Sequence, residues 1–150
     1  MQSESYRIAV VDHQSVASID KQQLKRVIQA ALRSEGIQQA AISVALFDDR
    51  VITDLNRQFL QHDRATDVLS FPLHKDGARV EGDIAISVET AAREARARGI
   101  PVETEVALYA VHGVLHLVGY DDQTPQERRR MWDRQLQILR TLHYDTNRLL

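Results

Sequence analysis

The chain contains no cysteine among its 150 residues. That excludes disulfides and thiolate metal sites, and it fits a reducing cytoplasmic setting. No apolar run approaches the roughly 18–20 residues of a membrane-spanning helix, so no membrane partner is expected. The N-terminus lacks a basic-then-apolar segment, so no secretory signal is read there. Charge of one sign is not in excess: 19 Lys and Arg stand against 21 Asp and Glu, for a net −2. A generally basic nucleic-acid coat is thereby excluded, and any nucleic-acid contact has to use local patches. Repeats, low-complexity segments and linkers are also missing. Prolines number only three, and Pro72, Pro101 and Pro125 each fall where the pattern changes. A hydrophobic share of 43% with 27% charged residues is ordinary for a soluble globular protein. Residues 1–150 read as one domain.

Hydrophobic periodicity supplies the elements. Tyr6 to Val11 alternates as a short strand. Asp20 or Ser18 can cap a helix in which Leu24, Val27, Ile28, Ala31 and Leu32 form one apolar face. Gly36 ends it. Ala41 to Phe47 is a β-prone run without helical period. Asp48 and Asp49 start a second helix, with Val51, Ile52, Leu55 and Phe59 on its apolar side. Thr66 to Pro72 reads as a strand near a sheet edge, because Pro72 lacks a backbone donor. Asp76-Gly77 is a turn signal, leading back into a strand over Gly82 to Ser87. An Ala-rich helix from Val88 to Arg98 is closed by Gly99. Thr124-Pro125 opens a last helix whose buried stripe is Met131, Trp132, Leu136, Leu139 and Leu142. The order implies an α+β domain: a mixed sheet of about four strands packed with about five helices.

The most informative stretch lies between those last two helices. From Val106 to Val118 nearly every residue is apolar, and the clear exceptions are His112 and His116. A helix that is apolar all round is buried, and residues four apart share one face of it. Burying two imidazoles requires a compensating partner, and their spacing suits one metal ion. Gly119 then offers a helix stop, after which Asp121 or Asp122 can return toward the same ion. Asp122 is the first candidate for a third ligand, and its neighbour can orient a ring instead. Two histidines, one carboxylate and an open position describe a catalytic zinc site, whose natural chemistry is hydrolysis. The spacing is similar to that of metzincin proteases, but those place a glutamate directly after the first histidine. Here that position is Gly113, which cannot move a proton, so a protease of that type is disfavoured. Gly113 also costs the helix about 1 kcal/mol relative to alanine, which points to close packing or to room beside the metal.

The run His112-Gly113-Val114-Leu115-His116-Leu117-Val118-Gly119-Tyr120-Asp121 resembles the signature of the YbeY family of bacterial rRNA maturation factors. Thr66 to Pro72 (TDVLSFP) and Gly82 to Ser87 (GDIAIS) resemble the family's other two blocks, in the same order, and Asn56 fits the block before them. The resemblance spans the whole chain. It implies a zincin-like fold with the metal-bearing helix central. It also implies a single-strand-specific, zinc-dependent endoribonuclease acting on ribosomal RNA with the small ribosomal subunit. Its role would be 3′-end processing of the small-subunit rRNA and ribosome quality control. The expected metal and catalytic residues are His112, His116 and Asp122, with one zinc per chain.

Two positions depart from the family pattern. Asp122 stands where the family has its third histidine, and a carboxylate oxygen is a sound zinc ligand. Leu60 stands where members commonly carry an arginine implicated in cleavage. Arg57 and Arg64, close by in sequence, are the expected substitutes for phosphate contact, or else solvated surface charges. Ser70 is expected on the active-site wall as a substrate contact, and Asp67 as a local turn residue. Arg128, Arg129 and Arg130, with Arg134 one turn on, form either a solvated face or a local basic patch for RNA. His13, His62, His74 and His143 have no partner at metal spacing and read as surface or loop histidines, while Trp132 reads as core. Two other functions fit the same residues: a metal hydrolase of another substrate, and a non-catalytic ribosome-assembly factor whose metal only stabilises the helix end.

Overall fold

A computed structural model of the chain describes residues 4–60 and 68–149. The elements follow as β1 (Ser5–Asp12), α1 (Lys21–Ser34), β2 (Gln39–Phe47), α2 (Asp49–Leu60) and β3 (Val68–Asp76). Then come β4 (Arg79–Ser87), α3 (Val88–Arg98), α4 (Val102–Leu117) and α5 (Pro125–Thr141), with a short 3-10 turn at Asn147–Leu149. This is the α+β arrangement that the periodicities imply. The sheet order is β1-β2-β4-β3. β2 runs parallel to both β1 and β4, while β3 pairs antiparallel with β4.

Alternation decides which side of the sheet carries the main core. Ala40, Ile42, Val44 and Leu46 of β2 are buried on one face. They join the apolar stripe of α1 and nearly the whole of α4 in one cluster. The opposite face carries a much smaller cluster, where Ile52 of α2 meets Leu69 and Ala85, with Phe47, Leu55 and Phe71 around them. α4 packs against α1, α3, α5, β3 and β4, so the histidine-bearing helix is central.

Local signals explain the element ends. The Asp20 side chain accepts from the Gln23 amide at the start of α1, and Ser87 does the same for Thr90 in α3. α3 ends on Gly99 in the left-handed region, at φ 68°. Thr124 and Glu127 form a reciprocal capping box ahead of α5, with Pro125 in its first turn. The strand expected to stop at Pro72 continues to Asp76, with a register shift between Pro72 and His74. β3 is an edge strand, so a missing donor at Pro72 need break no ladder bond.

Gly113 is explained by packing. A Cβ placed there would lie 2.9 Å from Ile84 Cγ2 and 3.1 Å from its Cδ1. Ile84 is buried in the middle of β4 and has little freedom to give way. The glycine therefore lets α4 settle directly onto the sheet, and that contact fixes the depth of the two histidines.

Candidate metal centre and its cleft

Every residue of α4 from Thr104 to Leu117 is buried except His112 and His116. Their side chains are each 28% exposed, and that of Asp122 is 35% exposed. The Nε2 atoms of the two histidines lie 3.1 Å apart. Asp122 Oδ2 is 3.2 Å from His116 Nε2 and 3.9 Å from His112 Nε2. Ligand atoms around a tetrahedral zinc with arms of about 2.0–2.1 Å are about 3.3 Å apart. The three groups thus match the span of one ion, and they form the three-residue group able to hold a metal among the described residues.

Hydrogen bonds on the far side of each ring fit the tautomer protonated at Nδ1. His112 Nδ1 lies 2.7 Å from Gln135 Oε1, and His116 Nδ1 lies 3.1 Å from the Tyr120 carbonyl. A carbonyl oxygen only accepts, so each Nδ1 donates. In the neutral rings both Nε2 atoms are then lone pairs, aimed at each other and at a carboxylate oxygen. Three electron-rich atoms at contact distance could share a cation, and carbonyls behind the rings are the usual outer support of a metal-bound histidine. The Tyr120 carbonyl reaches His116 because the chain reverses at the helix end. Tyr120 N–H donates to Leu115 O and Gly119 N–H to His116 O, with Gly119 at φ 111°.

The two aspartates of the turn do different things. Asp122 points its carboxylate at the histidines, whereas an Asp121 carboxylate oxygen accepts from the Asp122 amide at 2.9 Å. Ser70 donates to the Gly113 carbonyl of α4 at 3.2 Å, so its hydroxyl is tied to the helix that carries the site. Arg57 is exposed on α2, 3.8 Å from Asp54, and is not among the described residues lining the cleft. Arg64, His62 and Asp67 lie outside the described residues. His74 and His143 are exposed, and His13 stacks on Phe47.

His112 and Asp122 line a cleft of about 490 Å³. Its floor is α4, through Leu108, Tyr109 and His112. One wall is α3, where Thr90, Arg93, Glu94 and Arg98 recur at i, i+3, i+4 and i+8. The other wall is α5, where Arg128, Met131, Trp132 and Gln135 recur at i, i+3, i+4 and i+7. Trp132, expected in the core, packs on the core and also lines the cleft. The arginine run of α5 divides. Arg128 faces the cleft, Arg130 sits 5.5 Å over the Tyr120 ring, and Arg134 binds Glu35 at 2.7 Å and the Ser34 carbonyl at 2.6 Å.

The α3 wall is anchored from below. Asp49, at the start of α2, accepts from the hydroxyls of Ser87 and Thr90 and from Arg93 at 2.6 Å. Burial by itself pushes the Asp49 carboxyl up, but the bonds from Ser87, Thr90 and Arg93 outweigh it and hold the group below the ordinary carboxylate range. Arg98 pairs with Glu105 of α4, whose side chain is 1% exposed, at 2.9 Å. Sequence reading did not single out Gln135, Arg93 or Arg98. For Gln135 the signal was its place one turn after Met131 and two after Arg128.

Known proteins resemble this chain over most of its length. The family described as Endoribonuclease YbeY matches residues 9–143. The Endoribonuclease YbeY of Rhodopirellula baltica is 44% identical over 104 residues, covering 68% of this chain and 54% of the relative. That of Anaeromyxobacter dehalogenans is 42% identical, covering 74% of this chain and 58% of the relative. This chain therefore spans about half the length of those two relatives. The Endoribonuclease YbeY of Carboxydothermus hydrogenoformans is 40% identical and is covered over 95% of its length, with 89% of this chain. The solution structure of TM1509 from Thermotoga maritima superposes with a TM-score of 0.63 at 29% identity, covering 88% of this chain and 86% of that one. With the family match running from within β1 to just past the end of α5, the chain belongs to the YbeY endoribonuclease family.

Proposed function

We propose that this chain is a zinc-dependent endoribonuclease of single-stranded RNA acting in ribosomal RNA maturation in the cytoplasm. His112, His116 and Asp122 hold one zinc in this reading. The observation that supports it most is the convergence of two Nε2 lone pairs and a carboxylate oxygen, with both Nδ1 protons already committed to carbonyls. Bound zinc supplies a Lewis acid that activates water near neutral pH. The chain's own residues do the rest. Gln135 and the Tyr120 carbonyl keep the rings turned toward the ion. Ser70 ties the edge strand β3 to the middle of α4. The cleft beside the ligands lies between α3 and α5. Ribosomal RNA and the small subunit as partners follow from the family resemblance.

The test is metal content by mass spectrometry on the purified wild type and on Asp122→Ala, paired with cleavage of a single-stranded RNA by the wild type and by His116→Ala. About one zinc per chain, falling sharply in Asp122→Ala, with cleavage lost in a folded His116→Ala, is expected. A folded wild type that takes up no zinc would sink the reading. Intact metal with no cleavage, and unfolding when the metal is removed, would instead favour an assembly factor with a structural ion.

A further inference from the structure

Three arginines line the cleft, and their surroundings differ. Arg93 is paired with Asp49 and Arg98 with the buried Glu105. Arg128 forms no ion pair among the described residues. Its Nη1 donates to the carbonyls of Asp122 and Gln123, each at 3.3 Å. Those two bonds fasten the guanidinium to the loop that carries the candidate ligand Asp122, in a cleft whose lining carboxylates, Glu94 and Asp122, make no ion pair with it. One turn further along the same face of α5 stands Trp132, half-buried on the cleft wall. Met131 and Leu108 make the surface beside it apolar. A cavity of about 490 Å³ falls in the range of small-ligand sites, about 300–1,000 Å³. An aromatic wall, an arginine outside any ion pair of the described residues and a polar rim suit a nucleotide: stacking for the base and a charged hydrogen bond for the phosphate.

We propose that this cleft is a one-nucleotide subsite for single-stranded RNA, in which a base lies against Trp132 and its phosphate pairs with Arg128 beside the metal ligands. The inference rests on the endoribonuclease reading and deepens it. It gives a physical source for strand selectivity. A paired base is stacked on both faces and cannot reach a wall inside a cleft without being flipped out, whereas an unpaired base can enter at little cost. It also supplies a phosphate contact on α5 in a chain that has Leu60 on α2.

Trp132 is the only tryptophan of the chain, so its emission reports on this cleft alone. The protein as purified is titrated with adenosine 5′-monophosphate, which has no internucleotide bond to cut. It is then titrated with a short oligoadenylate, either free or annealed to its complement. Saturable quenching by the nucleotide and the free strand, and little by the duplex, is expected. Binding of a dye-labelled free strand, read by anisotropy, should weaken roughly 5- to 150-fold in Trp132→Leu, as loss of one stacked base implies. In Arg128→Gln, an exposed substitution expected to fold, the slope of log affinity against log salt should fall by about 0.7, the loss of one single-strand phosphate contact. Unchanged Trp132 emission while the strand binds by anisotropy would overturn the subsite and leave the endoribonuclease reading standing. Equal quenching by duplex, or no binding of either probe, would overturn it too. Quenching as expected without any RNA cleavage by zinc-loaded protein would retain the subsite and sink the nuclease instead.

Discussion

The floor of the cleft is a helix buried on nearly every side, with two half-buried interruptions at His112 and His116. The walls are helices with one buried stripe each, held in place by caps, ion pairs and hydrogen bonds to carbonyls. The floor owes its position to close packing, which is strong, short-ranged and indifferent to pH. Each fully buried Val, Leu or Ile there contributes about 1.5–3 kcal/mol. The walls owe theirs to polar contacts worth about 0.5–3 kcal/mol each, sensitive to pH and salt. Two of the three candidate ligands therefore stand on the most deeply packed helix, and the third stands on a turn that polar contacts hold.

Three substitutions test that division. Gly113→Val puts a branched side chain where a Cβ alone already meets Ile84 at 2.9 Å. Urea denaturation should show a loss of about 3 kcal/mol, at the upper end for overpacking. A loss below 1 kcal/mol would mean that the floor is not packed as described. Gln135→Leu keeps the bulk of a residue that is only 2% exposed but removes the acceptor behind His112. Metal affinity should fall roughly 10- to 100-fold, read by competition with a chromophoric chelator. Unchanged affinity would mean that α5 does not support the floor.

Asp49→Asn probes the α3 wall and should cost about 2 kcal/mol at neutral pH, since it weakens a charge-assisted set of bonds on a side chain 22% exposed. A carboxyl depressed in the fold contributes stability that is fully present above its unfolded value, about 3.9. That contribution is lost as pH falls through the lower folded value. Wild type and variant should therefore differ most near neutrality and converge in acid. Parallel stability curves across that range would refute the anchor.

What the sequence makes legible follows the same division. The floor could be read because burial of a whole helix leaves a one-dimensional trace: an apolar run in which two histidines stand out at a spacing that geometry interprets. The helix caps at Asp20 and Thr124 and the stop at Gly99 are equally local. The walls could not be read in this way. Trp132 shares a helical stripe with Met131 and Leu136, and periodicity cannot say that the edge of that stripe borders a cleft. Arg93 and Arg98 look like any solvated arginines until the fold brings Asp49 and Glu105 to them. Gln135 gains its meaning only from standing opposite a histidine 23 residues away. Pro72 misled for a related reason: whether a strand tolerates it depends on which side its neighbour lies.

The reversal at Gly119 joins two processes that would otherwise be independent. The Tyr120 carbonyl reaches His116 only when the last turn of α4 is closed by the bond from Tyr120 N–H to Leu115 O. Fraying of that turn leaves the imidazole without its acceptor, and a ring poorly oriented for an ion. Mass action would then run both ways: an ion held at this site would suppress the opening of the helix end, and whatever loosens the helix end would release it. Slow exchange of the Tyr120 amide with solvent would thus become a gauge of site occupancy, although that amide touches neither the ion nor any of its ligands.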